Sequence, residues 1–244
     1  MYHYIERIKQ IWADVEKNEQ GKIEQAIDTL VKANADHHSI YVFGASHAGI
    51  LAEEMYYRAG GMITMNAIFG KEVMLNCQPI TSTSKMERLE GYGSVLADNV
   101  KFQSEDVLIL HSVSGRNPII IDMALAAKKQ GVTVIGLTNL QYSQSVTSRH
   151  SSGKRLFEVA DIVIDNHGDV GDGACTIEGA EQKVGPTSTV IGASILNTII
   201  VETCQRLAAA GKPVPVFYSA NLDDGDAKNQ QLISQFKDVI HYQF

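Results

Sequence analysis

The run Asp106-Val-Leu-Ile-Leu-His111 leads directly into Ser112-Val113-Ser114-Gly115-Arg116-Asn117-Pro118, and a helical pattern follows to Gln130. Its apolar, β-branched character reads as a strand buried on both faces. A loop joining the carboxyl end of such a strand to a helix presents unpaired backbone N–H groups and the positive end of the helix dipole. That site selects anions. Ser112, Ser114 and Asn117 add short polar side chains, Gly115 lets the backbone approach a ligand closely, and Pro118 suits the first helical turn. Ordinary capping of the helix by Ser and Asn is the alternative. His111 adjoins the loop, where an imidazole either binds a hydroxyl and shuttles protons or is a structural group bonded to a backbone carbonyl.

The elements that must position this loop follow from periodicity. Ile5, Ile8, Trp12 and Val15 share one helical face, and Ile23, Ile27, Leu30 and Val31 continue a second stripe after Gly21. These two amphipathic helices are either a cap on the domain or a dimerisation element. A β-rich run at 40–43 precedes Gly44-Ala45-Ser46, then a helical stripe through Met55 to Ala59 that Gly60-Gly61 stops. A short strand is expected at 62–66, followed by an irregular stretch containing Pro79 and Thr81-Ser82-Thr83-Ser84. Strands recur at 107–111, 132–137 and 162–164, with a helix at 118–130, and strand–helix alternation implies a parallel sheet. A long helix is expected from Ser188 to near Ala210, ended by Gly211 and Pro213. Residues 214–219 read as a strand or extended arm, and 220–229 as a polar, acidic loop. The organisation is leading helices at 1–36, one main domain at 37–212, and an extension at 213–244 packed on it.

Composition limits the function classes. With 244 residues the chain is long enough for one α/β domain with appendages, and a net charge of −7 disfavours sequence-independent nucleic-acid binding. No stretch approaches the ~20 apolar residues that span a bilayer, and MYHYIERIKQ lacks the pattern of a signal peptide, so a cytoplasmic protein is expected. Cys77, Cys175 and Cys204 are few, odd in number and outside metal-ligand spacings, which reads as free thiols used for packing.

Read whole, DVLILHSVSGRNPIIIDMALAAKKQGVTVIGLTN resembles the phosphosugar-binding motif of the sugar isomerase (SIS) domain family, whose loop reads Ser-x-Ser-Gly-x-Ser/Thr before Pro and a helix. The resemblance extends over roughly 40–210, and among the family's branches it is to phosphoheptose-isomerase-related proteins. It implies a flavodoxin-like three-layer α/β/α sandwich on a five-stranded, mainly parallel sheet of order 2-1-3-4-5. It also implies a homodimer or larger oligomer with shared sites, a small-molecule sugar phosphate as ligand, and no cofactor. Carried over residue by residue, it puts Ser112, Ser114 and Gly115 on phosphate-binding positions, with Asn117 in the usual Ser/Thr place and Thr138 ending the next strand. Asn still donates a hydrogen bond through its amide.

The first loop departs from the family's Gly-x-Gly-x-Ser. In Gly44-Ala45-Ser46-His47-Ala48, Ser46 stands where Gly is expected and Ala48 where the substrate-contacting Ser is expected. Ser46 or His47 then supplies the contact, with helix capping the other role for Ser46. Aldose–ketose isomerisation needs a base beside the carbonyl and an acid for the oxygens. Glu54 is a candidate base, with an ion pair to Arg58 as the alternative. The resemblance nominates Glu178 or Glu181 as a further acid or base, and Thr187 and Ser188, in Pro186-Thr-Ser-Thr189, as sugar-binding hydroxyls. Residues 165–173 concentrate carboxylates, a His and glycines, and read as a flexible active-site loop rather than an EF-hand. His37-His38 reads as surface, and Arg149-His150 as either a solvent-facing loop or a reach to the sugar. An aldose–ketose sugar-phosphate isomerase is the expected function, with a sugar-phosphate-sensing module or a lyase (etherase) as alternatives.

Overall fold

The computed structural model describes residues 2–242. Two helices, α1 (His3–Asn18) and α2 (Gln20–Ala35), lead into β1 (Ile40–Gly44), a 3-10 turn at Ser46–Gly49 and α3 (Ile50–Glu54). Then follow β2 (Met65–Ala67), α4 (Thr81–Met86), α5 (Tyr92–Val100), β3 (Val107–His111) and α6 (Pro118–Lys129). Next come β4 (Thr133–Thr138), α7 (Leu140–Ser145), β5 (Ile162–Asp165) and the short strands β6 (Gly173–Cys175) and β7 (Val184–Pro186). The chain closes with α8 (Ser188–Ala209) and α9 (Gly225–Gln235).

The main sheet is parallel throughout, in the order β2-β1-β3-β4-β5. Register places Gly44 beside His111 and Thr138 beside Asp165, so the loops after β1, β3, β4 and β5 emerge at one edge. Because alternate strand residues face opposite sides, two cores form. Ile40, Val42, Val107, Ile109, Ile135 and Leu137 pack with α1, α2, α3 and α8. Tyr41, Phe43, Leu108, Leu110 and Val134 pack with α5 and α6. The expected three-layer sandwich and strand order are therefore what the chain adopts. Among the described residues no helix is long and apolar enough to cross a membrane. The three cysteines are free, and burial pushes the Cys204 thiol up to about 11.

Four local expectations are corrected. The helix after β1 ends at Glu54, short of Ala59: the backbone turns with Tyr57 at φ +37°, and the Gly60 N–H donates to the Phe217 carbonyl at 3.0 Å. Tertiary pairing with the C-terminal extension overrides helical periodicity there. The strand expected at 62–66 starts instead at Met65, since Met62 bridges antiparallel to Val216 and the Ile63 N–H donates to the Pro215 carbonyl at 2.7 Å. The loop expected at 220–229 runs into α9, which adds Leu232 and Ile233 to a small core of Ile63, Phe217, Phe236 and Val239. Finally, the irregular stretch before β3 is helical, as α4 and α5. His37 and His38 have carboxylate partners distant in sequence, Asp238 at 2.9 Å and Glu105 at 3.0 Å.

The packing of α5 on α6 fixes the α4–α5 segment against the ligand end of the sheet. A Cβ on Gly93 would lie 2.1 Å from the Ile119 carbonyl oxygen and 2.6 Å from Asp122 Cβ. Gly93→Ala is expected to lower stability by about 2 kcal/mol in urea unfolding, despite the better helix propensity of Ala, because overpacking at a helix crossing outweighs it. An unchanged or raised midpoint would contradict this packing.

Candidate functional site

The segment from Ser112 to Asn117 is held from behind. Thr138, fully buried, places its hydroxyl 2.7 Å from the Ser112 carbonyl oxygen and 3.1 Å from that of Val113. The Val113 carbonyl also accepts from the Asn139 N–H, the Gly115 carbonyl from Leu156, and the Arg116 carbonyl from Arg149, at 3.0, 2.8 and 2.9 Å. With those carbonyls engaged, the amides face the other way. Among the described residues, the N–H groups of Val113, Ser114, Gly115, Arg116 and Asn117 donate to no atom of the chain. Gly115 adopts φ +59°, and a Cβ there would meet Ser143 Oγ at 3.0 Å, Leu156 Cβ at 3.2 Å and Thr138 Oγ1 at 3.3 Å. Both the left-handed backbone and the crowding demand glycine. A run of free amides ahead of a helix N-terminus is an anion cradle.

Asn117 makes no capping bond to α6. Its Oδ1 accepts from Arg149 Nη1 at 2.8 Å, and its amide bonds the Glu87 carboxylate. This carboxylate was not singled out from the sequence. Glu87 follows α4, and its carbonyl accepts from the Ile119 N–H at 3.3 Å, which ties it to the first turn of α6. Burial pushes its carboxyl up, against the opposing pull of Arg88, Arg149, Asn117 and His47. The only signal for it in the sequence is its place in the chain just before α5, which does not foretell a contact with α6.

In the first loop Ser46, which stands where the resemblance expects Gly, has φ +56°, a conformation that favours glycine. It makes no cap, since the turn's N-cap is Ala45 and that of α3 is Gly49. A Cβ on Gly44 would lie 2.3 Å from the Ala48 carbonyl oxygen, so the turn folds tightly back over β1. That same carbonyl oxygen lies 3.1 Å from Nδ1 of His111. A carbonyl only accepts, so Nδ1 carries the proton and the Nε2 lone pair is free. Nε2 is buried with no hydrogen-bond partner among the described residues. Burial pushes the His111 pKa down, opposed by the Ala48 bond and by Asp172, which keeps the ring neutral. His47 is exposed.

The remaining candidates fall in three places. Glu54 is ion-paired with Arg58, and its side chain is about one-third exposed, at 32%. Glu178 and Glu181 are exposed in the connection between β6 and β7. Thr187 is fully buried with Oγ1 unpartnered, while the Ser188 hydroxyl donates to Asp172 at 2.7 Å. Asp172 also accepts the N–H groups of Thr187 and Ser188, at 3.1 and 2.8 Å, and so closes the N-terminus of α8. The other carboxylates of 165–173 are likewise engaged: Asp165 accepts from Leu140 and His167, and Asp169 pairs with Arg7 at 3.1 Å. Arg149 reaches Asn117 beside the cradle, whereas His150 sits against Asp122 at 3.1 Å. A cleft of about 530 Å³ lies away from the cradle, between α5 and α6, lined among others by Asp98, Lys101, Lys129 and His150.

The brought-together set is thus Ser112, Ser114, Gly115 and Asn117, with His111 beside it and Thr138 behind it. Comparison with known proteins gives the family and the fold. The family model described as the SIS domain matches residues 3–139. A UPF0309 protein of Shouchella clausii is 52% identical over 239 residues, covering 98% of this chain and 97% of the relative. Another, from Oceanobacillus iheyensis, is 48% identical over 242 residues, 99% of this chain and 98% of that one. A phosphoheptose isomerase from Francisella tularensis superposes with a TM-score of 0.57 at 16% identity, over 83% of this chain and 95% of the other, a likeness of fold. The chain belongs to the SIS domain family and to the UPF0309 proteins.

Proposed function

We propose that the chain binds a phosphorylated sugar at 112–117 and interconverts its aldose and ketose forms. The observation that carries the reading is the row of five consecutive free amides ahead of α6, in a segment that also carries Ser112 and Ser114. A phosphate monoester matches such a donor set in charge and in number of acceptor oxygens.

Isomerisation is redox-neutral within the substrate. A base takes the proton from the carbon next to the carbonyl while the carbonyl oxygen gains one. The resulting enediol then loses a proton from its other oxygen and gains one on the former carbonyl carbon. Glu87 and His111 have the properties this requires. Burial pushes the Glu87 carboxyl up from the usual carboxylate range, which strengthens it as a base, and its side chain bonds Asn117 of the cradle. His111 is neutral, with one nitrogen committed to Ala48 and the other open. We assign carbon proton transfer to Glu87 and transfer between the oxygens to His111. Glu54 has a competing commitment to Arg58, which favours Glu87 over it. The departures at Ser46 and Ala48 are what favour a sensing module or a lyase instead.

Thermal-shift measurements with sugar phosphates, followed by proton exchange in deuterated water, separate these readings. Ser114→Ala is expected to weaken binding about tenfold, the loss of one hydrogen bond to a charged group. Glu87→Gln is expected to slow exchange at the carbon beside the carbonyl by about a hundredfold or more while the thermal shift persists. Stabilisation by a sugar phosphate without exchange or product would sink the isomerase reading.

The neutral His111 has a consequence for stability. Its folded pKa lies below the ordinary 6.5, so above that pH neither state is protonated, and below it only the unfolded chain gains the proton. Stability is therefore expected to fall as pH drops below about 6.5, by at most ~1.4 kcal/mol per pH unit from this group. His111→Gln should flatten urea-derived stability between about pH 6.5 and 5 by up to that slope; an identical profile would mean that His111 takes up its proton in the fold as readily as in the unfolded chain.

A further inference from the structure

The chain has seven arginines, and four of them form ion pairs with carboxylates: Arg7 with Asp169, Arg58 with Glu54, Arg155 with Glu158, and Arg206 with Glu24 and Asp28. Arg88, Arg116 and Arg149 form none among the described residues, although the chain carries 28 acidic residues against 21 lysines and arginines. These three are gathered at one place. Arg149 donates to Asn117 Oδ1 at 2.8 Å, and its backbone N–H donates to the Arg116 carbonyl at 2.9 Å. Arg116 Nη2 reaches Thr147 Oγ1 at 3.4 Å, while its Nε is buried without a partner. Arg88 adjoins Glu87, whose carboxylate bonds Asn117. Burial, and then the charges of Arg116 and Arg88, push the Arg149 pKa down.

Holding guanidinium groups near one another is unfavourable unless an anion offsets the repulsion. The nearby carboxylate, Glu87, is itself biased towards its neutral form by burial. The cluster therefore remains net positive on a chain whose net charge is −7. Its place is the rim of the cradle: Arg116 and Asn117 are the last residues before α6, and the segment around Arg149 lies over them. The five free amides and two serine hydroxyls already provide for one phosphate, so the arginines are surplus to a simple sugar monophosphate.

We propose that Arg88, Arg116 and Arg149 bind a second anionic group on the substrate, so that the preferred ligand is an acidic sugar phosphate carrying a carboxylate or a further phosphate. This rests on the sugar-phosphate reading of the cradle. Planar guanidinium groups hold either anion through paired N–H donors, so the chemistry is shared and the choice of probe separates the two.

The test is calorimetric titration of the full chain with fructose 6-phosphate, 6-phosphogluconate and fructose 1,6-bisphosphate at low salt. Either doubly anionic probe is expected to bind at least about tenfold more tightly than fructose 6-phosphate, with a preference that shrinks as salt rises. The double variant Arg116→Gln/Arg149→Gln should lose most of that preference, its affinity for the doubly anionic probes falling at least about fivefold more than its affinity for fructose 6-phosphate. Which probe gains more identifies the group. Equal affinity for all three probes would overturn the proposal, as would an equal loss for all three in the double variant, which would assign the arginines to the first phosphate. Dissociation of an oligomer by the double variant, read by light scattering, would also overturn it, since the missing carboxylates would then come from a second copy. Failure of every probe to bind, with Ser114→Ala indistinguishable from wild type, would instead remove the cradle reading and this inference with it.

Discussion

The site depends on where the carbonyl oxygens of 112–116 point. A backbone loop offers as many acceptors as donors, and an anion is repelled by any acceptor left facing it. Here Thr138, Asn139, Leu156 and Arg149 draw the carbonyls of Ser112, Val113, Gly115 and Arg116 away from the mouth. The donors come from β4, the residue after it, the turn at 156 and the segment at 149, so the polarity of the loop is set by elements well downstream in the chain. Thr138, whose place ending β4 matched the family pattern, contributes from underneath rather than at the mouth.

The same logic distinguishes two of the helix N-termini at this edge of the sheet, those of α6 and α8. Each presents a positive dipole end. At α8 the Asp172 carboxylate accepts from Thr187 and Ser188 and satisfies that end internally. At α6 no side chain caps, because Asn117 is turned to Arg149 and Glu87. One helix end is closed by the chain and the other is open to a ligand. The carboxylates at 165–173, which read as an active-site loop, instead serve the scaffold.

What the sequence disclosed follows the range of the interactions involved. The strands β1, β3, β4 and β5 were legible because each is a short, largely buried apolar run, and the cradle because strand, loop and helix are contiguous; β6 and β7, short and not buried, were not. Residues defined by tertiary approach were not. Glu87 meets Asn117 because the end of α4 is tied to the first turn of α6 through the Ile119 N–H, and nothing in the local pattern of Lys85-Met-Glu-Arg-Leu announces that. The overlong helix after β1 and the missed α9 have one cause: the extension beyond Lys212 pairs with Gly60, Met62 and Ile63, and periodicity carries no information about partners distant in sequence.

The first loop shows how such a departure is accommodated. Ser46 occupies a left-handed conformation that costs a non-glycine residue roughly 1 kcal/mol. The turn persists because it is fixed at both ends: Gly44 admits the Ala48 carbonyl against β1, and His111 bonds that carbonyl from β3. That bond also sets the tautomer of His111 and leaves Nε2 open. The residue that replaces the family's glycine thus sits in the turn whose carbonyl prepares the imidazole beside the cradle. The β1 loop acts on the β3 site through its backbone, and for that role neither Gly at 46 nor Ser at 48 is needed.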